Sequence, residues 1–116
     1  LNNYSYYLSQ RKIRLDDAEK MSSKSIELTP DSPHYLDTYG WIMYQMGKYE
    51  EAKKWIEKSM ENSETESSAV LEHYGDVLYK LGKTEEAIIY WKKALELADE
   101  ISDFLREKVK DGILYE

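Results

Sequence analysis

The side chains best suited to acid–base or metal chemistry in this chain are few. Its two histidines, His34 and His73, stand near carboxylates: Asp37 follows the first by three positions, and Glu72 and Asp76 flank the second. A histidine beside an acid is the start of a general-base pair, and His, Asp and Glu are all zinc ligands. Neither chemistry has its remaining parts. No serine elbow, glycine-rich phosphate loop or metal-spaced cluster accompanies them. The absence of cysteine removes thiol nucleophiles, zinc–thiolate sites and disulfides together. The two histidines fall in successive copies of a repeated segment, so their helices would stand about 10 Å apart, too far to share a metal with side chains turned outward. The sequence is read as having no catalytic residue, no metal site and no cofactor, with both histidines solvated.

Aromatic residues offer a different chemistry. Tyr6, Trp41, Tyr44 and Tyr79 are large, amphipathic and, as shown below, unneeded for the repeat. Such rings are what the energetic centres of protein interfaces are made of. With 116 residues, the chain suffices for one domain with a modest core. Its 41% apolar and 34% charged residues, with two prolines and five glycines, describe a soluble, folded, helical protein. No stretch approaches the roughly 20 apolar residues of a membrane helix. The formal charge of −7 disfavours nucleic acid, which needs a basic patch, and favours a neutral or basic protein partner. Runs such as "KYEEAKKWIEK" and "KTEEAIIYWKK" place glutamates ahead of lysines at helical spacing, which supports a helix and solubilises its outer face.

What positions these residues is a repeat. "DTYGWIMYQMGKYEEAKKWIEKS" (37–59) aligns without a gap on "EHYGDVLYKLGKTEEAIIYWKKA" (72–94), and nine of 23 positions are identical. Each copy has a helical apolar pattern, an "MGK" or "LGK" break, and a second helical pattern starting at "EEA". Gly47 and Gly82 fall where the first helix should close in a left-handed conformation. Gly40 and Gly75 lie inside that helix, where glycine costs ~1 kcal/mol against alanine. Ala52 and Ala87 follow twelve residues later in each copy. If the two helices run antiparallel, glycine faces alanine, and the axes can approach toward the short end of the usual range of about 8–10 Å.

This spacing resembles the tetratricopeptide repeat. Leu36, Tyr39, Gly40, Met43, Ala52 and Ile56 fill the family pattern in order, as do Leu71, Tyr74, Gly75, Leu78, Ala87 and Trp91. Neither copy ends in the family's proline; Glu64 and Asp99 stand near that place. Upstream of the proline-bearing link "ELTPDSPHYLD", a degenerate unit has Leu1, Tyr4, Ser5 and Leu8 in the first helix and Ala18 in the second. Ser5 replaces the glycine there, and Ser22 replaces a large residue. The resemblance implies an all-α, right-handed superhelical solenoid of about three helix-turn-helix repeats: residues 1–32, 33–67 and 68–98. The stretch "LADEISDFLREKVKDGILYE" (97–116) continues with Leu97, Ile101, Phe104, Leu105 and Val109 at helical spacing, and residues 99–116 are read as a capping helix and tail over the last open apolar face. A first residue other than Met, and a first helix starting near residue 1, lead to the expectation of a C-terminal fragment of a longer bacterial-type array. Its compartment stays open between the cytoplasmic and periplasmic sides.

Function in this family lies mainly on the concave face, lined by the first helix of each pair. Removing the packing residues leaves Asn3, Tyr6 and Gln10, then His34, Asp37, Thr38, Trp41, Tyr44 and Gln45, then Glu72, His73, Asp76, Tyr79 and Lys80 as outward candidates for a partner. Ser5, Ala18, Gly40, Ala52, Gly75 and Ala87 are assigned to packing. The family's clamps for a C-terminal carboxylate use lysines, arginines and asparagines on this face; Asp37, Glu72 and Asp76 argue against one here. The expected work is holding a segment of another protein by apolar anchors with some basic character. The alternative is self-assembly, in which the first-repeat end packs on another copy or on the rest of its own chain.

Overall fold

The computed structural model describes residues 15–98 and 104–114. Within them six helices form: α1 (Leu15–Leu28), α2 (Pro33–Gln45), α3 (Tyr49–Asn62), α4 (Ser68–Lys80), α5 (Thr84–Leu97) and α6 (Leu105–Asp111). No strand occurs among the described residues, so the fold is all-α, and none of these helices is long and apolar enough to cross a membrane. Asn3, Ser5, Tyr6 and Gln10 lie outside the described residues. The chain forms two compact units, Leu1–Glu64 with α1 to α3 and Thr65–Glu116 with α4 to α6.

The two central helix pairs are built by the same local devices. Ser32 and Ser67 precede α2 and α4 in extended conformation, and each Oγ accepts the backbone N–H three residues on, from Tyr35 and Val70, at 3.4 Å. This satisfies one of the donors a helix start leaves unpaired. At the other end, Gly47 and Gly82 take φ of +80° and +84°. The N–H groups of Gly47 and Lys48 return to the carbonyls of Tyr44 and Met43, and those of Gly82 and Lys83 to Tyr79 and Leu78. Both turns are therefore Schellman closures, which a residue with a Cβ would strain. Lys48 and Lys83 lead straight into α3 and α5 without a side-chain cap. Glu50 and Glu51, and Glu85 and Glu86, sit in the first turns instead, where negative charge is favoured by ~0.3–1 kcal/mol per residue.

The pairs close at Gly40 and Gly75. A Cβ on Gly40 would come within 2.7 Å of Ile56 Cγ1 and 3.2 Å of the Ala52 carbonyl oxygen. On Gly75 it would lie 2.5 Å from the Trp91 ring and 3.1 Å from the Ala87 oxygen. Buried Leu36, Ile42, Met43, Ala52 and Ile56 fill the first unit, and Leu71, Val77, Leu78, Ala87, Trp91, Ala94 and Leu105 the second. At the far end of each pair one hydroxyl ties the two helices. Ser59 Oγ donates to the Pro33 carbonyl at 2.6 Å, and Ser68 Oγ donates to the Ala94 carbonyl at 2.9 Å.

In the first unit α1 lies on the other side of α2 and buries Ala18, Ser22 and Ser25 on one face. Small residues on that face let the two helices approach. Ser22 Oγ, at the place of a large family residue, is buried with no hydrogen-bond partner among the described residues. Tyr39 donates its hydroxyl to Glu19 Oε2 at 2.9 Å, joining α2 to α1. Burial, then the hydrogen bond and charge of Glu19, push the Tyr39 pKa up to about 12.

Candidate functional site

The first helix of each pair carries the candidate residues, and the two helices treat them differently. On α2, Trp41 lies flat on Tyr44, with ring centroids 4.5 Å apart and planes 9° from parallel. Tyr49, the first residue of α3, meets Tyr44 edge-on at 5.5 Å. The spacing of Trp41 and Tyr44, three residues on a helix, brings their side chains to one face. Trp41 is half-buried and Tyr44 buried, so Tyr44 and Tyr49 form a support on which the indole rests. A ring held in this way has already lost its rotamer freedom, which lowers the entropic cost of a contact.

On α4 the candidates are charged. Asp76 is 5% exposed; its Oδ1 accepts the indole N–H of Trp91 at 2.9 Å and the ammonium of Lys108, on α6, also at 2.9 Å. The same Lys108 Nζ donates to Glu72 Oε2 at 2.7 Å and stands 5.8 Å from the centre of the Trp91 ring. Lys108 is itself 3% exposed. Burial pushes the Asp76 pKa up to about 6, against the lowering effects of Lys108 and of nearby His73. Tyr79 covers the other part of the Trp91 ring at 5.8 Å between centroids. The result is a small pocket with two carboxylates one helical turn apart and an indole wall, closed around one ammonium.

The outward assignment is corrected at three positions: Thr38, Tyr44 and Asp76 are buried. The physical reason is that α2 and α4 are covered on more than one side. α2 is packed between α1 and α3, and α4 packs on α5 and takes up Lys108 of α6. A single-stripe reading of such helices leaves too many residues outside. His34 and Lys80 are exposed; Asp37, Trp41, Gln45, Glu72, His73 and Tyr79 are half-buried. The structure brings Trp41 and Tyr44 together, and joins Glu72 to Asp76 through Lys108. No group of three or more His, Asp or Glu stands where it could hold a metal among the described residues. Sequence reasoning missed Lys108 and Tyr49. Tyr49 follows the turn closely enough to be found from its neighbour Tyr44, whereas Lys108 belongs to no repeat position.

A second feature recurs in both pairs. Tyr39 meets Trp55 edge-on at 5.0 Å and Tyr74 meets Tyr90 at 4.7 Å, both at 85°. Lys58 lies over the Trp55 ring at 5.4 Å, and Lys93 over Tyr90 at 4.9 Å. These lysines cover ring surface that would otherwise face water.

Comparison with known proteins places these observations. A family model described as anaphase-promoting complex, cyclosome, subunit 3 matches residues 11–100. The TPR repeat-containing protein PA4667 of Pseudomonas aeruginosa is 34% identical over 61 residues, which is 53% of this chain and 10% of that protein. Among solved structures, YrrB, a TPR protein with an unusual peptide-binding site, superposes with a TM-score of 0.71 at 27% identity, over 84% of this chain and 49% of YrrB. The C-terminal part of a TPR repeat-containing protein from Cytophaga hutchinsonii has the same fold, with a TM-score of 0.72 at 23% identity, over 94% of this chain and 41% of that one. The chain spans about a tenth of the length of the curated relative it matches.

Proposed function

Because the chain belongs to the tetratricopeptide-repeat family, whose members are generally non-catalytic repeat scaffolds, we propose that it is a protein-interaction module that binds a segment of a partner protein through the first helices of its repeats and performs no catalysis. The observation that carries this reading is Trp41. Its indole is not part of the repeat's packing pattern, it remains half-buried, and the stacked Tyr44 holds it in one orientation. A rigid aromatic of this kind is a suitable interface anchor. The fold's comparison with a TPR protein that has a peptide-binding site is in keeping with it. Asp37 in the next turn and the chain's net charge of −7 favour a segment with basic character.

The test uses peptides selected for binding from a displayed random library, measured on the whole chain by calorimetry. Trp41→Ala should weaken the selected peptides at least tenfold, about 1.4 kcal/mol, while the far-ultraviolet circular dichroism stays unchanged. If instead no peptide is enriched, and light scattering shows a dimer whose dissociation changes tryptophan fluorescence, the surface serves self-assembly.

A further inference from the structure

On α4, residues expected to face a partner are occupied by the chain's own C-terminal segment. We propose that the pocket of Glu72, Asp76 and Trp91 is a lysine-recognition site, held in cis by Lys108, and that a partner's amphipathic helical segment with an apolar residue three positions before a lysine displaces α6 from it. The proposal rests on the reading of the chain as a partner-binding module and adds where a basic segment docks and what it must displace.

The pocket is built for an ammonium. A single nitrogen reaches Glu72 Oε2 at 2.7 Å and Asp76 Oδ1 at 2.9 Å, so two carboxylates converge on one point charge. The Trp91 ring adds its face at 5.8 Å, and its N–H fixes the Asp76 oxygen from the other side. Carboxylates with an aromatic wall are a general means of recognising a cationic nitrogen. A guanidinium, which prefers two parallel bonds to one carboxylate, matches this convergence less well.

The occupant is short. α6 has seven residues, far below the roughly 12–15 at which a helix becomes stable alone, and its N-cap makes no side-chain hydrogen bond. Its buried residues are Leu105 and Lys108, three positions apart on one face. Phe104 and Ile113 on either side remain 44% and 45% exposed. An incoming lysine would make the same two ion pairs that Lys108 makes, so the exchange leaves neither carboxylate buried without a counter-charge. A segment from another protein with the same two anchors, and a longer helix to carry them, competes on favourable terms.

The experiment titrates a synthetic peptide of residues 104–114, FLREKVKDGIL, into the whole chain, following the Trp91 indole N–H by two-dimensional NMR. Lys108→Ala and Lys108→Met chains are the vacated hosts; the methionine variant keeps an apolar stem in case alanine impairs folding. The peptide should shift the Trp91 signal and bind the vacated chains at least tenfold more tightly than the wild type. Its lysine-to-alanine version should lose that binding, its arginine version should bind more weakly, and Asp76→Asn in the Lys108→Met chain should weaken the peptide. Equal binding of the lysine and alanine peptides, or none to either vacated chain, would overturn the proposal and leave α6 a structural cap. A wild-type dimer exchanging α6 would also overturn it, by making a second copy the occupant. Because the readout is Trp91 and not Trp41, failure here is distinguishable from failure of the binding-module reading.

Discussion

The two central helix pairs share one frame and differ in where they put an indole. In the first pair Trp41 is on the first helix and Ile56 on the second; in the second pair Asp76 and Trp91 take those places. Residues 56 and 91 both lie directly over the glycine of the facing helix, Gly40 or Gly75. With isoleucine there, nothing polar needs a partner, and position 41 can carry a ring that stacks on Tyr44. With tryptophan there, a buried N–H must be satisfied, and the next position supplies a short acceptor, Asp76. Having buried a carboxylate, the second pair also needs a counter-charge, which Lys108 provides. One exchange on the second helix thus entails a different neighbour on the first and a role for a helix outside the repeat.

The two pairs should differ most in their response to pH, because position 41 has no titrating group where position 76 does. The folded-state pKa of Asp76 is about 6, against 3.8 for the free side chain. Between these values the folded chain holds the proton more firmly than the unfolded chain, so this group's stabilisation is full below about pH 4 and is lost as pH rises to about 6. Denaturant titrations should show the wild type losing on the order of 3 kcal/mol relative to Asp76→Asn across that window. Parallel profiles would mean that Lys108 keeps the carboxylate ionised throughout.

A smaller contrast lies at the glycines. Gly75→Ala should cost about 2 kcal/mol and Gly40→Ala about 1 kcal/mol by urea unfolding, after the gain of ~1 kcal/mol in helix propensity. The new methyl meets in one case an indole pinned by Asp76, and in the other an isoleucine that can turn. Equal losses would show that the carbonyl oxygens of Ala87 and Ala52, at 3.1 and 3.2 Å, set the limit instead. The smallest difference is expected at the hydroxyl joint. Ser59→Ala and Ser68→Ala should each cost about 1 kcal/mol, since each removes the one hydroxyl that ties the far end of its pair.

Much of the frame is legible in the residues themselves. The "MGK" and "LGK" breaks announce the Schellman turns, because a left-handed closure needs glycine within a few residues of its own helix. Gly40 with Ala52, and Gly75 with Ala87, are separated by a fixed twelve residues, so a short turn alone brings each pair face to face. The surface was less legible. Periodicity sorts residues by angle around one helix and is blind to how many neighbours that helix has, which is why Thr38, Tyr44 and Asp76 are buried against expectation. The Trp41 and Tyr44 stack is a local matter of helical spacing and could have been found.

Local residue spacing is enough to dictate the helix pairs, their turns and the close approach within each pair. All of these depend on contacts between residues near in the chain, whose chemistry repeats at a fixed interval. The convergence of Glu72 and Asp76 on Lys108 arises only once the chain is folded. That contact spans 32 residues between Asp76 and Lys108, crosses from the repeat to a helix with no repeat register, and depends on the depth at which Trp91 buries a carboxylate. A charge's partner is set by distance and dielectric in the folded chain, and neither is written in local spacing.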